Sequence, residues 1–118
     1  MSDEILKSTK KILGLAADYT PFDLDVLTHI NSVMSTLEQL GVGPEGGIMV
    51  DDSTVWEDLL GTDPRLNAVK SYVYLRVRLL FDPPATSFAI NSMEQQIKEL
   101  EWRLQVVVDP PIVEAELL

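Results

Sequence analysis

Residues 63–84, DPRLNAVKSYVYLRVRLLFDPP, constrain this chain more than any other stretch, because both ends and the middle agree on one buried helix. Asp63 is a good N-cap, and Pro64 stands at the first helical position, where its missing N–H costs no hydrogen bond. Asp82-Pro83-Pro84 stops the helix, since a proline ring disfavours helical geometry in the residue before it. Between them Leu66, Val69, Val73, Val77 and Leu80 form one stripe at helical spacing, with Ala68, Tyr72, Leu75 and Leu79 forming a second beside it. Only Asn67, Ser71 and Arg78 make a polar line. A helix apolar around most of its circumference must be surrounded by other protein. Arg76 projects between the stripes, and is either a paired buried charge or an anchor in a subunit interface, where arginine is enriched.

The rest of the chain supplies what surrounds that helix. Asp3 to Leu13 reads as a short helix with Ile5, Leu6, Ile12 and Leu13 on one face and Lys7, Lys10 and Lys11 opposite. Those lysines are the one basic cluster, able to touch DNA or an acidic partner, although an ordinary solvated face needs neither. Thr20-Pro21-Phe22-Asp23 is a helix start. The helix that follows runs to Leu40 and packs Leu27, Ile30, Val33, Met34, Leu37 and Leu40 inward, with His29 at the edge of the face. Gly41 to Ser53 holds four of the six glycines and is a loop, carrying the apolar insert Ile48-Met49-Val50. That insert either tucks under the domain or pairs as a strand with a neighbour. Thr54 to Glu57 is a capping-box pattern for a short helix ending at Gly61, which Trp56, Leu59 and Leu60 hold to the core.

Thr86 or Ser87 caps a last helix running to about Leu104, with a core stripe of Ile90, Met93, Ile97, Leu100 and Leu104. Phe88, Gln95 and Trp102, seven residues apart, line up on its back. A surface helix of a small domain needs one apolar face, so a second line carrying two large aromatics points to a protein contact, or else to Trp102 covering its own domain's edge. The final stretch, QVVVDPPIVEAELL, reads as an extended arm rather than as bundle. Val106, Val107 and Val108 favour a strand, Pro110-Pro111 break it, and Ile112 to Leu118 is apolar and acidic. An arm of that kind is expected to be held by a second chain, through strand addition or groove docking.

Composition bounds the function. With 118 residues the chain is expected to hold one helical domain, 1–104, followed by the arm, 105–118. The expected fold is all-α: a small bundle of about four or five helices with a Gly-rich loop or hairpin insert and an extended C-terminal arm. No apolar run suits a membrane span, MSDEILKSTKK lacks a signal-peptide pattern, and a cytoplasm-like compartment is expected. Cysteine is absent, which removes disulfides and thiolate metal sites, and a single histidine argues against a histidine-based one. A formal charge of −10 opposes binding to nucleic acid by phosphate neutralisation. Asp51-Asp52 lacks the oxygen-rich spacing of a calcium loop, capping explains at least one of Asp23 and Asp25, and no phosphate loop or nucleophile triad is present. No catalytic residue, metal or cofactor is therefore expected, and the residues by themselves describe an acidic helical assembly subunit.

Four segments, in order, carry a resemblance: ILKSTKKILGL, FDLDVLTHINSVMSTLEQLGVGPEGG, AVKSYVYLRVRLLFDPP and MEQQIKELEWRL. Together they resemble the head-to-tail connector, or adaptor, proteins of tailed bacteriophages and their prophages over nearly all of residues 4–104. Tyr72 to Pro84 is the most specific segment. The resemblance implies a virion protein of the neck, assembled in the host cytoplasm as a ring of roughly twelve copies beneath the portal protein. It would extend the DNA channel and offer a docking surface to the next connector or tail-completion protein. DNA would pass without sequence-specific binding, which an acidic wall favours. Arg76, Phe88, Gln95 and Trp102 would then be ring contacts, and the arm, with Val106, Val107, Val108, Ile112 and Leu117, would reach the portal or an adjacent subunit. The alternatives are a small helical regulator that binds one protein partner, another neck or tail-completion ring protein, and a DNA-binding packaging accessory using Lys7, Lys10 and Lys11.

Overall fold

The computed structural model describes residues 4–108, with the side chains of Val106–Val108 left aside. Five helices follow in order: α1 (Ile5–Ile12), α2 (Asp23–Gln39), α3 (Glu57–Leu60), α4 (Leu66–Phe81) and α5 (Ser87–Val108). Among the described residues no strand forms beyond one isolated antiparallel bridge, Glu4 to Val55, closed by Ile5 N–H on the Thr54 carbonyl at 3.0 Å. The all-α bundle expected from the sequence is what the chain adopts.

Helix α4 is the centre, as its two apolar stripes require. It packs against α1, α2 and α5, with Val69, Tyr72, Val73 and Val77 fully buried. Its flanks are assigned by residue. Phe81 meets Phe22 and His29 of the α2 side, ring centroids 5.5 and 6.3 Å apart, so α2 runs antiparallel to α4. Tyr72 and Arg76 meet Glu101 of α5, and Leu79 lines the same groove. At about 100° per residue Tyr72, Arg76, Leu79 and Leu80 fall on one flank of α4 and Phe81 outside it, so α2 and α5 meet different faces of α4. On the α2 side Val26, Ile30, Val33, Met34 and Leu37 complete the core with Ile5 and Leu6 of α1.

The ends of α4 form as the sequence predicts, with one adjustment. The Asp63 carboxylate accepts the Arg65 N–H at 2.9 Å and caps the entering turn, while the regular helix begins at Leu66. Asp82 leaves helical geometry at φ −151°, and Arg78 donates to its carbonyl at 2.7 Å. Leu80, expected in the inner stripe, is half exposed, because it lies on the last turn beside the groove under α5.

Helix α1 corrects the expectation. Its inward face is Ile5, Leu6, Thr9 and Lys10, and Ile12 is half exposed. Lys10 is therefore not part of an exposed basic face with Lys7 and Lys11. Its ammonium is buried against Asp23 Oδ1 at 2.7 Å and donates to the Ala17 carbonyl at 3.1 Å. Thr9 is tolerated inside because its hydroxyl donates to the Ile5 carbonyl at 2.7 Å. Asp23, read as a capping carboxylate, is thus drawn to α1 instead, and neither Thr20 nor Asp23 forms a side-chain cap on α2.

The capping pattern before α3 is also shifted. Thr54 is engaged by Asp51, and it is Asp58 that accepts the Val55 N–H at 3.0 Å. Four donors, the N–H and hydroxyl groups of Ser53 and Thr54, converge on Asp51 Oδ1. They hold its carboxyl below the usual range, the Ser53 backbone N–H contributing most. Trp56 is fully buried, its indole N–H donating to Ser8 Oγ at 2.8 Å, with Tyr74 edge-on and the Lys70 ammonium over its face. This ties the start of α3, within the long connection between α2 and α4, to α1.

Candidate assembly surfaces

Among the described residues, helix α5 carries a long exposed face with two large aromatics. Thr86 caps it, as expected, by accepting the Ala89 N–H at 3.2 Å. It then runs 22 residues to Val108, so the strand reading of Val106–Val108 is corrected: the helix passes through all three. At 1.5 Å per residue such a helix is about 33 Å long. It packs mainly on α4, and of its residues up to Gln105 only Ile97 and Leu104 are buried. A long helix held along one edge leaves its back to solvent, and there Phe88 is 83% and Trp102 64% exposed, with Gln95 exposed between them. Glu99 and Arg103 pair beside this line at 2.5 Å, so the back of α5 carries no surplus charge there.

What fixes α5 on α4 besides Ile97 and Leu104 is a polar network that sequence reasoning did not see. Tyr72 is buried and donates to Glu101 Oε2 at 2.7 Å. Arg76 Nη1 donates to the Tyr72 oxygen at 3.1 Å and to Glu101 Oε2 at 3.3 Å, with its guanidinium 5.7 Å from the Tyr72 ring centroid. Burial first, and then the bond to Glu101, pushes the Tyr72 hydroxyl up to about 12. Of the two roles open to Arg76, the chain itself provides the paired charge, and the side chain keeps partial exposure at the rim of the groove lined by Leu79, Leu80, Ile97 and Lys98. Nothing in the local sequence announces Glu101 as the partner, because it comes from another helix 25 residues on.

A second apolar patch was also missed. Tyr19, Phe22 and Phe81 form a row at the end of the bundle, with Tyr19 and Phe22 centroids 5.9 Å apart, and Leu24 beside them is 77% exposed. The signal was Phe22 itself, an aromatic just outside a helix start. Helix periodicity could not place it.

The third surface is the Gly-rich loop. It folds back along α2, and the side chain of Asn31 both donates to the Val50 carbonyl, at 3.0 Å, and accepts the Val50 N–H, at 2.7 Å. Val50 is buried by this clamp, whereas Met49 next to it is 78% exposed. The apolar insert thus tucks under at one residue and projects at the next. Gly43 and Gly47 have φ of +100° and +85°, a backbone conformation that side-chain-bearing residues adopt only with strain, so the fold-back favours glycine there.

Lys7 and Lys11 remain exposed, Lys7 paired with Glu4 at 3.2 Å. Ile112 and Leu117 lie outside the described residues, as do the side chains of Val106, Val107 and Val108. Among the described residues no cluster of His, Cys, Asp or Glu could hold a metal ion, and no helix is long and apolar enough to cross a membrane.

Compared with known proteins, the chain matches a family model described as a phage connector protein over residues 5–111. No curated protein and no solved structure matches it.

Proposed function

The chain belongs to the phage connector protein family, and from that premise we propose that it is a ring subunit joining the portal of a phage head to the tail. The observation that carries the reading is the back of α5, a 22-residue helix packed mainly on α4 with Phe88 and Trp102 in water. Two aromatics on one exposed face are costly to leave wet and are the residue types that dominate protein interfaces. In the ring Phe88, Gln95 and Trp102 contact a neighbouring subunit, and Arg76, already oriented by Tyr72 and Glu101, closes the rim of that contact. The end of α5 at Val106–Val108, and Ile112 and Leu117 beyond it, provide further contacts to an adjacent subunit or the portal.

The function is geometric, with no reaction and no cofactor: it extends the DNA channel and offers the next connector or tail-completion protein its seat. The acidic balance suits a wall along which DNA slides, because like charge opposes adhesion to phosphates. Lys7 and Lys11, without Lys10, are too few for a phosphate platform. Co-expression with the cognate portal, followed by mass measurement and negative-stain imaging, tests this. A ring seated on the portal is expected, and a chain that stays monomeric or dimeric beside every portal tried sinks the reading.

A further inference from the structure

We infer that the aromatic row Tyr19, Phe22 and Phe81 of one copy is the seat for Trp102 and Lys98 on the α5 back of the next copy. The inference deepens the ring reading above and rests on it for the partner being a second copy, while three observations of this chain carry the contact. The first is the character of the row. Tyr19 and Phe22 are close to half exposed with centroids 5.9 Å apart, and Phe22 meets Phe81 edge-on at 5.5 Å. Packed rings open to water form an apolar platform whose faces attract a cation. Carboxylates border it. Asp18 precedes Tyr19, Asp25 stands one turn on from Phe22 in α2, and Asp82 follows Phe81. All three are exposed, and none has an ion pair among the described residues. The cations closest in the fold are already engaged, Arg78 on the Asp82 carbonyl and Lys10 on Asp23. The row is therefore an aromatic surface of negative sign.

The second observation is the character of the occupant. Lys98 and Trp102 are four residues apart, about 40° around and one turn along α5, so they stand side by side on its exposed back. Trp102 is largely in water. Lys98 is exposed too, and its ammonium has neither a hydrogen bond nor an ion pair among the described residues, whereas Arg76 and Arg103 are held by Glu101 and Glu99. Of the nine Lys and Arg residues only Lys11 shares that state. An indole beside a free ammonium matches a platform of rings bordered by carboxylates in both shape and sign.

The third is that one chain carries both halves of the match and leaves both open. At a net charge of −10 most surfaces of two copies repel each other. Setting α5 back against α5 back brings Lys98 toward Lys98, and setting row against row brings carboxylates together. Setting α5 back against row joins opposite signs and covers Trp102, Tyr19 and Phe22 at once. The other exposed apolar spots fit less well, since Met49 offers a single aliphatic side chain and the groove under α5 belongs to the α5 side of the contact, with Lys98 on its rim. Two different surfaces joined in this way make a head-to-tail contact, the kind from which rings are built.

Full-length Lys98→Glu and Asp25→Lys chains, each checked for native circular dichroism, are assembled with the cognate portal separately and mixed. Each alone is expected to lower ring recovery at least about tenfold, because it sets like charges together at the contact. The mixture is expected to recover rings, since copies that alternate join opposite charges at every contact. Lys98→Glu combined in one chain with Glu45→Lys, which keeps the net charge but alters the Gly-rich loop instead of the row, should stay defective. Single variants that assemble as well as the unaltered chain, or a mixture no better than its parts, overturn the inference and leave the ring reading intact. If a charge reversal does not fold, Tyr19→Ala and Trp102→Ala take its place. Residues in contact lose less together than the product of their separate losses, and independent losses overturn the contact. If the unaltered chain joins no portal, the ring reading falls, and sedimentation of concentrated free chains decides the contact. Association of the unaltered chain and of the mixture, but of neither single variant, supports it, and equal masses throughout overturn it.

Discussion

Two polar groups inside this small protein govern its response to substitution and to pH. Lys10 is buried, and only Asp23 and the Ala17 carbonyl compensate its charge. Asp23→Ala is expected to cost about 3 kcal/mol or more in urea unfolding, because it leaves an uncompensated ammonium inside, whereas Lys10→Met, which removes the charge and keeps the stem, is expected to cost much less. Tyr72 gives the pH signature. Its hydroxyl, raised in the folded state to about 12 from an ordinary 10, favours folding fully below pH 10, and that contribution is lost as pH rises from 10 through 12. Between pH 9 and 12 the melting temperature should therefore fall less steeply in Tyr72→Phe than in the unaltered chain. Neither role was legible from periodicity. Lysine two residues before isoleucine reads as surface against core, and the fold reverses the pair because Lys10 has a carboxylate waiting and Ile12 lies past the last inward turn.

At the scale of elements the sequence was most readable where several signals coincided. Helix α4 has a cap, a proline start, two apolar stripes and a double-proline stop, and both its position and its centrality were legible from those. The end of α5 was misread because β-branched residues were given the weight of a strand signal. Valine costs only some tenths of a kcal/mol in a helix, and a helix already propagating from Ser87 absorbs three of them. Asn31 illustrates a contact that no local pattern encodes: a mid-helix polar residue acting as strand partner to a loop 19 residues on. Asn31→Ala is expected to lower stability by about 1–3 kcal/mol, since the buried Val50 N–H and carbonyl lose their partner. Hydrogen exchange at the Val50 amide should rise well before that of the α4 core.

For the whole molecule, apolar surface and net charge pull against each other. Trp102→Ala should leave the unfolding free energy of the free chain within about 0.5 kcal/mol, because a side chain so exposed contributes little to its own fold. The same change should cut recovery of rings on the portal, read as the mass fraction in the assembled peak. Equal losses in both measurements would make Trp102 an ordinary core-edge residue. Ten net negative charges on each copy oppose association, so raising ionic strength from about 0.01 to 0.15 M should favour assembly, the screening length falling from about 30 to 8 Å. Sedimentation at the two salt concentrations reads the difference.

The two tryptophans sit in opposite surroundings, Trp56 sealed beneath α1 and Trp102 standing in water on α5. The chain thus contains its own pair of optical reporters. Intensity and wavelength changes from Trp56 follow unfolding, whereas a blue shift and loss of quencher access at Trp102 follow burial of the α5 back. With Trp102→Phe and Trp56→Phe to separate the signals, folding and joining can be timed independently in one unlabelled sample.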